Sequence, residues 1–130
     1  MIKTLKSYKI PSYCDDNRCT YVLKTILGAE RGRIDIVFEK NSLRITRFCV
    51  ALEYRGLKQR YGKQLLNEVI TEAGKHGIAK IVVIPKPEEL YDDVEEMDLL
   101  ELYRKYKNLG FDFEGEVKEY NNQMFLNVNI

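Results

Sequence analysis

The chain has 130 residues, enough for one hydrophobic core and one site but too few for a catalytic domain plus a regulatory one, so residues 1–130 are read as one domain. Its 21 basic and 20 acidic residues leave a net charge of +1, which excludes a global field that would draw it to nucleic acid or an anionic membrane. No apolar run has the length of a membrane span and Met1-Ile2-Lys3 opens no secretory signal, so a cytoplasmic location is expected.

Residues Thr4 to Ile10 suit a first strand that Pro11 closes, and Asp15, Asp16 and Asn17 offer caps for a helix over Thr20 to Leu27 that stops at Gly28. Cys14, Cys19 and Cys49 are odd in number and lack CxxC spacing. The single histidine, His76, cannot complete a zinc site with them, so reduced thiols and no metal are expected. Arg33 to Phe38 is strand-like, Glu39-Lys40-Asn41-Ser42 supplies turn chemistry, and Leu43 to Leu52 is a second β-rich run, which together predict an antiparallel hairpin.

That hairpin feeds a turn crowded with basic residues and glycine, from Tyr54 to Lys63. Beyond it, Leu65, Leu66, Val69, Ile70 and Ala73 recur at helical spacing until Gly77. Lys75 and His76 sit in the last turn, where cations suit the negative end of the helix dipole, which makes His76 a helix-end residue rather than a catalyst. Ala79 to Ile84 is nearly all aliphatic, as in an interior strand parallel to its predecessor, and Pro85-Lys86-Pro87 ends it. The crossover between those two strands should be right-handed.

An acidic segment follows, with no lysine or arginine between Glu88 and Glu101. Asp98 with Glu101 resembles a capping pair, and Leu99, Leu102, Tyr103, Tyr106 and Leu109 form a helical stripe that halts at Gly110. Phe111 to Val117 and Gln123 to Ile130 read as a terminal hairpin joined through Glu119-Tyr120-Asn121-Asn122. The sum is a mixed α/β sheet whose antiparallel ends flank one parallel pair.

The basic turn carries the chemistry. The first four amides of a helix lack intrahelical partners and, with the macrodipole, favour an anion there by roughly 0.3 to 1 kcal/mol. Glycine removes the Cβ that would hold a phosphate off the backbone, and Arg55, Lys58, Arg60 and Lys63 place four charges within nine residues. A diphosphate fits such a turn; the alternative is a solvated basic turn before an ordinary crossover helix.

Taken together, the element order, the basic turn and Tyr106-Lys107-Asn108-Leu109-Gly110-Phe111 resemble the GNAT superfamily of acyl-CoA-dependent N-acetyltransferases over Leu43 to Val117. The family's loop pattern is Gln/Arg-x-x-Gly-x-Gly/Ala, and a later helix carries a tyrosine shortly before a Gly-Phe pair. With Gly62 as the last glycine, Arg60 stands where the first is usual and Leu57 where glutamine or arginine is usual, and Tyr54-Arg55-Gly56 looks like the motif's start displaced two residues upstream. The resemblance implies a mixed, mostly antiparallel central sheet with one splayed parallel pair and flanking helices, and acetyl-CoA as cosubstrate without a metal.

By the same resemblance, Arg55, Lys58, Gln59, Arg60, Tyr61, Gly62 and Lys63 hold the diphosphate of coenzyme A, and the backbone of Val50, Ala51 and Leu52 pairs with the pantetheine arm and polarises the thioester carbonyl. Tyr106 then assists departure of the thiolate, with Tyr103 one turn earlier as the fallback and Glu53 as the base candidate nearest the strand end. The acceptor is a primary amine attacking directly in a ternary complex. The run Glu88 to Glu96 favours a cationic one, whether a small molecule or a protein lysine or N-terminus. The resemblance admits a homodimer. A non-catalytic binding or inhibitory module of the same fold stays open as the alternative, and a nucleic-acid-binding role through Arg31, Arg33, Arg44, Arg47 and the basic turn ranks low because the net charge is near zero and no recognition motif is present.

Overall fold

Alternating apolar and polar residues dominate the first half of the chain, and the computed structural model, which describes residues 8–51, 54–55, 60–87 and 98–128, builds that half as strands. The elements run β1 (Tyr8–Lys9), β2 (Ser12–Cys14), β3 (Arg18–Thr25), β4 (Glu30–Phe38), β5 (Leu43–Val50), α1 (Tyr61–Lys75), β6 (Lys80–Val83), α2 (Leu99–Asn108), β7 (Asp112–Phe113) and β8 (Met124–Asn127). In the sheet the order is β1-β3-β4-β5-β6-β8-β7, with β2 also on β3. Among the described residues every pairing is antiparallel except β5 with β6. This is the mixed α/β sheet with one parallel pair that the sequence predicts.

Three local expectations are corrected. Thr20 to Leu27 is not a helix: β3 covers most of it, because Cys19, Tyr21 and Leu23 alternate into the core and the β-branched Thr20, Val22 and Thr25 suit a pleated strand. Asp15, Asp16 and Asn17 therefore turn a hairpin instead of capping a helix, with the Asp15 amide donating to the Arg18 carbonyl at 3.0 Å. That hairpin sets Cys14 directly opposite Cys19, and the two are joined as a disulfide, which overturns the expectation of three reduced thiols; Cys49 is in no disulfide. The terminal hairpin is shorter than expected. Asn122 holds its loop, its side-chain oxygen accepting from the Lys118 amide at 2.6 Å and its amide nitrogen donating to the Lys118 carbonyl and the Tyr103 hydroxyl. Residues 4–7 of the expected first strand and 129–130 of the last lie outside the described residues.

The core lies on one face of the sheet. Helix α1 buries Tyr61, Leu65, Leu66, Val69 and Ala73 against β3 to β6, at roughly 1.5 to 3 kcal/mol for each large side chain. Gly32 sits beneath it, where an added Cβ would come within 3.2 Å of both Leu23 and Leu65. Both helices end in a Schellman motif with glycine at positive φ. At α1, Ile78 and Gly77 donate back to Ala73 and Gly74; at α2, Phe111 and Gly110 donate back to Tyr106 and Lys107.

One irregularity shapes the site. Along β4 and β5 the register runs Asp35 to Arg47 and then Ile36 to Ile45, so Thr46 is an extra, bulged residue. The parallel ladder between β5 and β6 reaches only from Leu43 to Ile45 and stops at that bulge. Beyond it the two strands part, and a cleft opens between their C-terminal ends.

Candidate active site

The cleft measures about 440 Å³ and is walled by the end of β5, the first turn of α1, the segment after β6 and one face of α2. In an antiparallel pair alternate residues bond across the ladder. Since the Ala51 amide donates to the Arg31 carbonyl at 2.8 Å, the peptide groups of Val50 and Phe48 point the other way, into the gap. Their side chains turn toward α1, where a Cβ on Gly62 would lie 3.8 Å from Phe48 and 3.9 Å from Val50. Of the strand-end amides singled out in the sequence, Val50 thus faces the cleft and Ala51 is committed to β4, while Leu52 lies outside the described residues.

Leu52, Glu53 and 56–59, hence Lys58 and Gln59, lie outside the described residues. Arg60, the N-cap of α1, has φ 51° and ψ 59°, the left-handed conformation that glycine adopts freely. The arginine that replaces the expected glycine therefore keeps the backbone shape a glycine would give. Arg55 sits lower, at the strand end: its Nε donates to the Val50 carbonyl at 2.6 Å and its guanidinium lies 3.8 Å from the Cys49 sulfur. Tyr61 opens the helix with its ring against Tyr8 and Tyr54 at centroid distances of 4.8 and 5.5 Å. Its hydroxyl is buried without a hydrogen-bond partner among the described residues, and burial, then the neighbouring Tyr8 and Tyr54, raises its pKa.

On the far wall Tyr106 is 6 % exposed and lines the cleft, its ring edge-on to Phe48 at 6.1 Å and to Phe111 at 5.3 Å. The second contact follows from the helix end: the Schellman turn folds Phe111 back beside Tyr106, which gives the Tyr-to-Phe spacing a structural cause. Tyr103 points elsewhere, accepting from Asn122 at 3.0 Å and stacking edge-on with Phe113, and it is not among the cleft-lining residues. His76 lies at the opposite end of α1, paired with Glu72 at 2.9 Å.

The electrostatics of the cleft are one-sided. Arg55, Arg60, Lys63, Lys86 and Lys105 all line it, and no acidic side chain does among the described residues. Pro85-Lys86-Pro87 reads in the sequence as a strand terminator, so Lys86 was not expected in the site, and neither was Lys105, a neighbour of Tyr106 on α2. Lys107, the other such neighbour, is turned away toward Asp112 and the Phe113 ring. Among the described residues no cluster of His, Cys, Asp and Glu could hold a metal ion, and no helix is long and apolar enough to cross a membrane.

A bulged strand, a parallel pair that parts, a helix N-terminus at the opening and a tyrosine on the facing helix define the class: the fold is that of the GNAT acetyltransferases. A GNAT-family acetyltransferase from Staphylococcus aureus Mu50 superposes with a TM-score of 0.64 at 18% identity, over 86% of this chain and 68% of that one. IAA acetyltransferase from Bacillus cereus gives 0.60 at 18% over 86% and 79%. PaiA N-acetyltransferase from Thermoplasma acidophilum, solved with coenzyme A, gives 0.61 at 20% over 85% and 61%. No protein-family model matches the chain, and no curated protein matches it in sequence.

Proposed function

We propose that the chain is an acetyl-CoA-dependent N-acetyltransferase that transfers the acetyl group to a primary amine directly, with both molecules bound. One observation carries this reading: five cations and the free amides of a helix N-terminus line the opening between two parted parallel strands. Acetyl-CoA would supply the activated acyl group as a thioester. Gly62 and the first-turn amides of α1, with Arg60 and Lys63, fit its diphosphate, and Lys58 and Gln59 join them on sequence grounds. The Val50 amide is the donor available to the acyl carbonyl, and donors of this kind are worth about 10² to 10³ in rate. Tyr106 gives a hydrogen bond or proton to the departing sulfur; Tyr103, tied to Asn122, is the weaker candidate. Glu53 remains the base candidate by its place after the strand.

The run Glu88 to Glu96 begins directly after Pro87, a cleft-lining residue, which supports a cationic amine as the acceptor. A second reading, a non-catalytic binding or inhibitory module, draws support from Arg55, whose Nε already sits on the Val50 carbonyl beside the proposed pantetheine track. Thermal denaturation with acetyl-CoA tests the first: at a hundred times Kd the ligand adds about 2.7 kcal/mol of stability. No shift at millimolar acetyl-CoA overturns it. A shift without turnover of any amine, in a screen with labelled acetyl-CoA, favours the second.

A further inference from the structure

The cations of the cleft fall into two groups on facing walls. Arg60 and Lys63 belong to the first turn of α1, at the end of β5. Lys86 follows β6, and Lys105 lies on α2 beside Tyr106, on the stripe that also brings Leu102 and Leu109 to the cleft. None of the four forms an ion pair among the described residues, in contrast to Arg33, Arg44, Lys80 and Lys107, each of which has a carboxylate within 4.0 Å. Like charges gathered in a concave site with no counter-charge among the described residues repel one another, and a bound anion relieves that repulsion. A diphosphate seated on the α1 N-terminus answers Arg60 and Lys63. It leaves the opposite pair unanswered.

We infer that Lys86 and Lys105 form a second anion subsite, separate from the diphosphate cradle, that takes a phosphate or carboxylate group. The inference rests on the acetyl-CoA reading above. The group can come from two sources, the 3′-phosphate of coenzyme A or an anionic group carried by the acceptor, such as the carboxylate of a zwitterionic amine. Asn108, one turn along α2 from Lys105 and also in the cleft wall, adds a neutral hydrogen-bonding side chain to the same wall.

Isothermal titration of coenzyme A and 3′-dephospho-coenzyme A into the wild type, Lys86→Gln and Lys105→Gln tests it, followed by inorganic phosphate added to the coenzyme A-saturated chain. Both lysines are exposed, so the glutamine variants should melt with the wild type. If the 3′-phosphate is the guest, each variant binds coenzyme A about three- to tenfold more weakly, and all three proteins bind the dephospho form alike. If the acceptor supplies the anion, all proteins bind both cofactors equally, and inorganic phosphate binds the saturated wild type but binds the variants about three- to tenfold more weakly. No discrimination in either arm overturns the subsite while leaving the cofactor site standing. Failure of the wild type to bind coenzyme A at all removes the acetyl-CoA reading, and the subsite with it.

Discussion

Two residues of the cleft decide how closely it can work as its fold suggests. Arg60 holds a left-handed backbone that costs a residue with a Cβ roughly 1 to 2 kcal/mol, and it does so where its side chain adds a cation to the cleft. Arg60→Gly should therefore raise stability by about 1 kcal/mol after the greater chain entropy of glycine is allowed for, a gain of roughly 4 °C in Tm. The same variant should bind coenzyme A several-fold more weakly. A melting temperature that falls would show that the arginine side chain, rather than the backbone, holds the turn. Tyr106 separates chemistry from binding in a different way. Its ring is fixed between Phe48 and Phe111, so Tyr106→Phe keeps the packing and loses only the hydroxyl. Turnover should drop by about 10² or more with the Kd for coenzyme A nearly unchanged, and unaltered turnover would move the proton donor to solvent.

At the scale of elements, the end of α2 carries more of the site than its polar, loop-like sequence suggests. Gly110 has φ 106°, and a Cβ there would stand 3.1 Å from Leu126 Cδ1. Gly110→Ala should destabilise the fold by at least about 1 kcal/mol, and by loosening the turn that seats Phe111 against Tyr106 it should lower kcat more than it raises KM. Equal turnover at normal stability would mean that the cap does not position the tyrosine. Glycine and helical spacing made both helices, their stops and the β4–β5 hairpin legible in the sequence, because those signals are local. The β3 strand was not, since Asp15-Asp16-Asn17 caps a helix and turns a hairpin with equal chemistry, and only pairing with β4 and packing under α1 decide between them. The Cys14–Cys19 bond went unread for the same reason: their spacing fits no familiar motif until the hairpin places them opposite one another. In the site, Tyr106, Gly62 and the α1 cations were visible as a pattern, whereas Lys86 joined them only once β5 and β6 were seen to part.

Over the whole molecule, one core on one face of the sheet must supply the stability, and two of its tyrosines tie that stability to alkaline pH. Tyr21 is buried and donates to Glu72 at 3.2 Å; burial, then the Glu72 and Glu68 carboxylates, pushes its pKa well above 10. Tyr61 is shifted in the same direction, chiefly by burial. A phenol whose pKa is raised on folding keeps its proton in the folded chain while the unfolded chain gives its own up, so the stabilisation is complete below pH 10 and is lost as pH rises beyond it. Each group steepens that loss by up to about 1.4 kcal/mol per pH unit. Phenylalanine at either position should flatten the decline between pH 10 and 11, measured by urea unfolding. At neutral pH the two variants should part company. Tyr21→Phe deprives Glu72 of a donor and should cost about 1 kcal/mol, whereas Tyr61→Phe removes a buried hydroxyl that has no partner among the described residues and should be neutral or stabilising. A Tyr61→Phe protein that loses stability at pH 7 would mean that its hydroxyl has a bonded partner in solution.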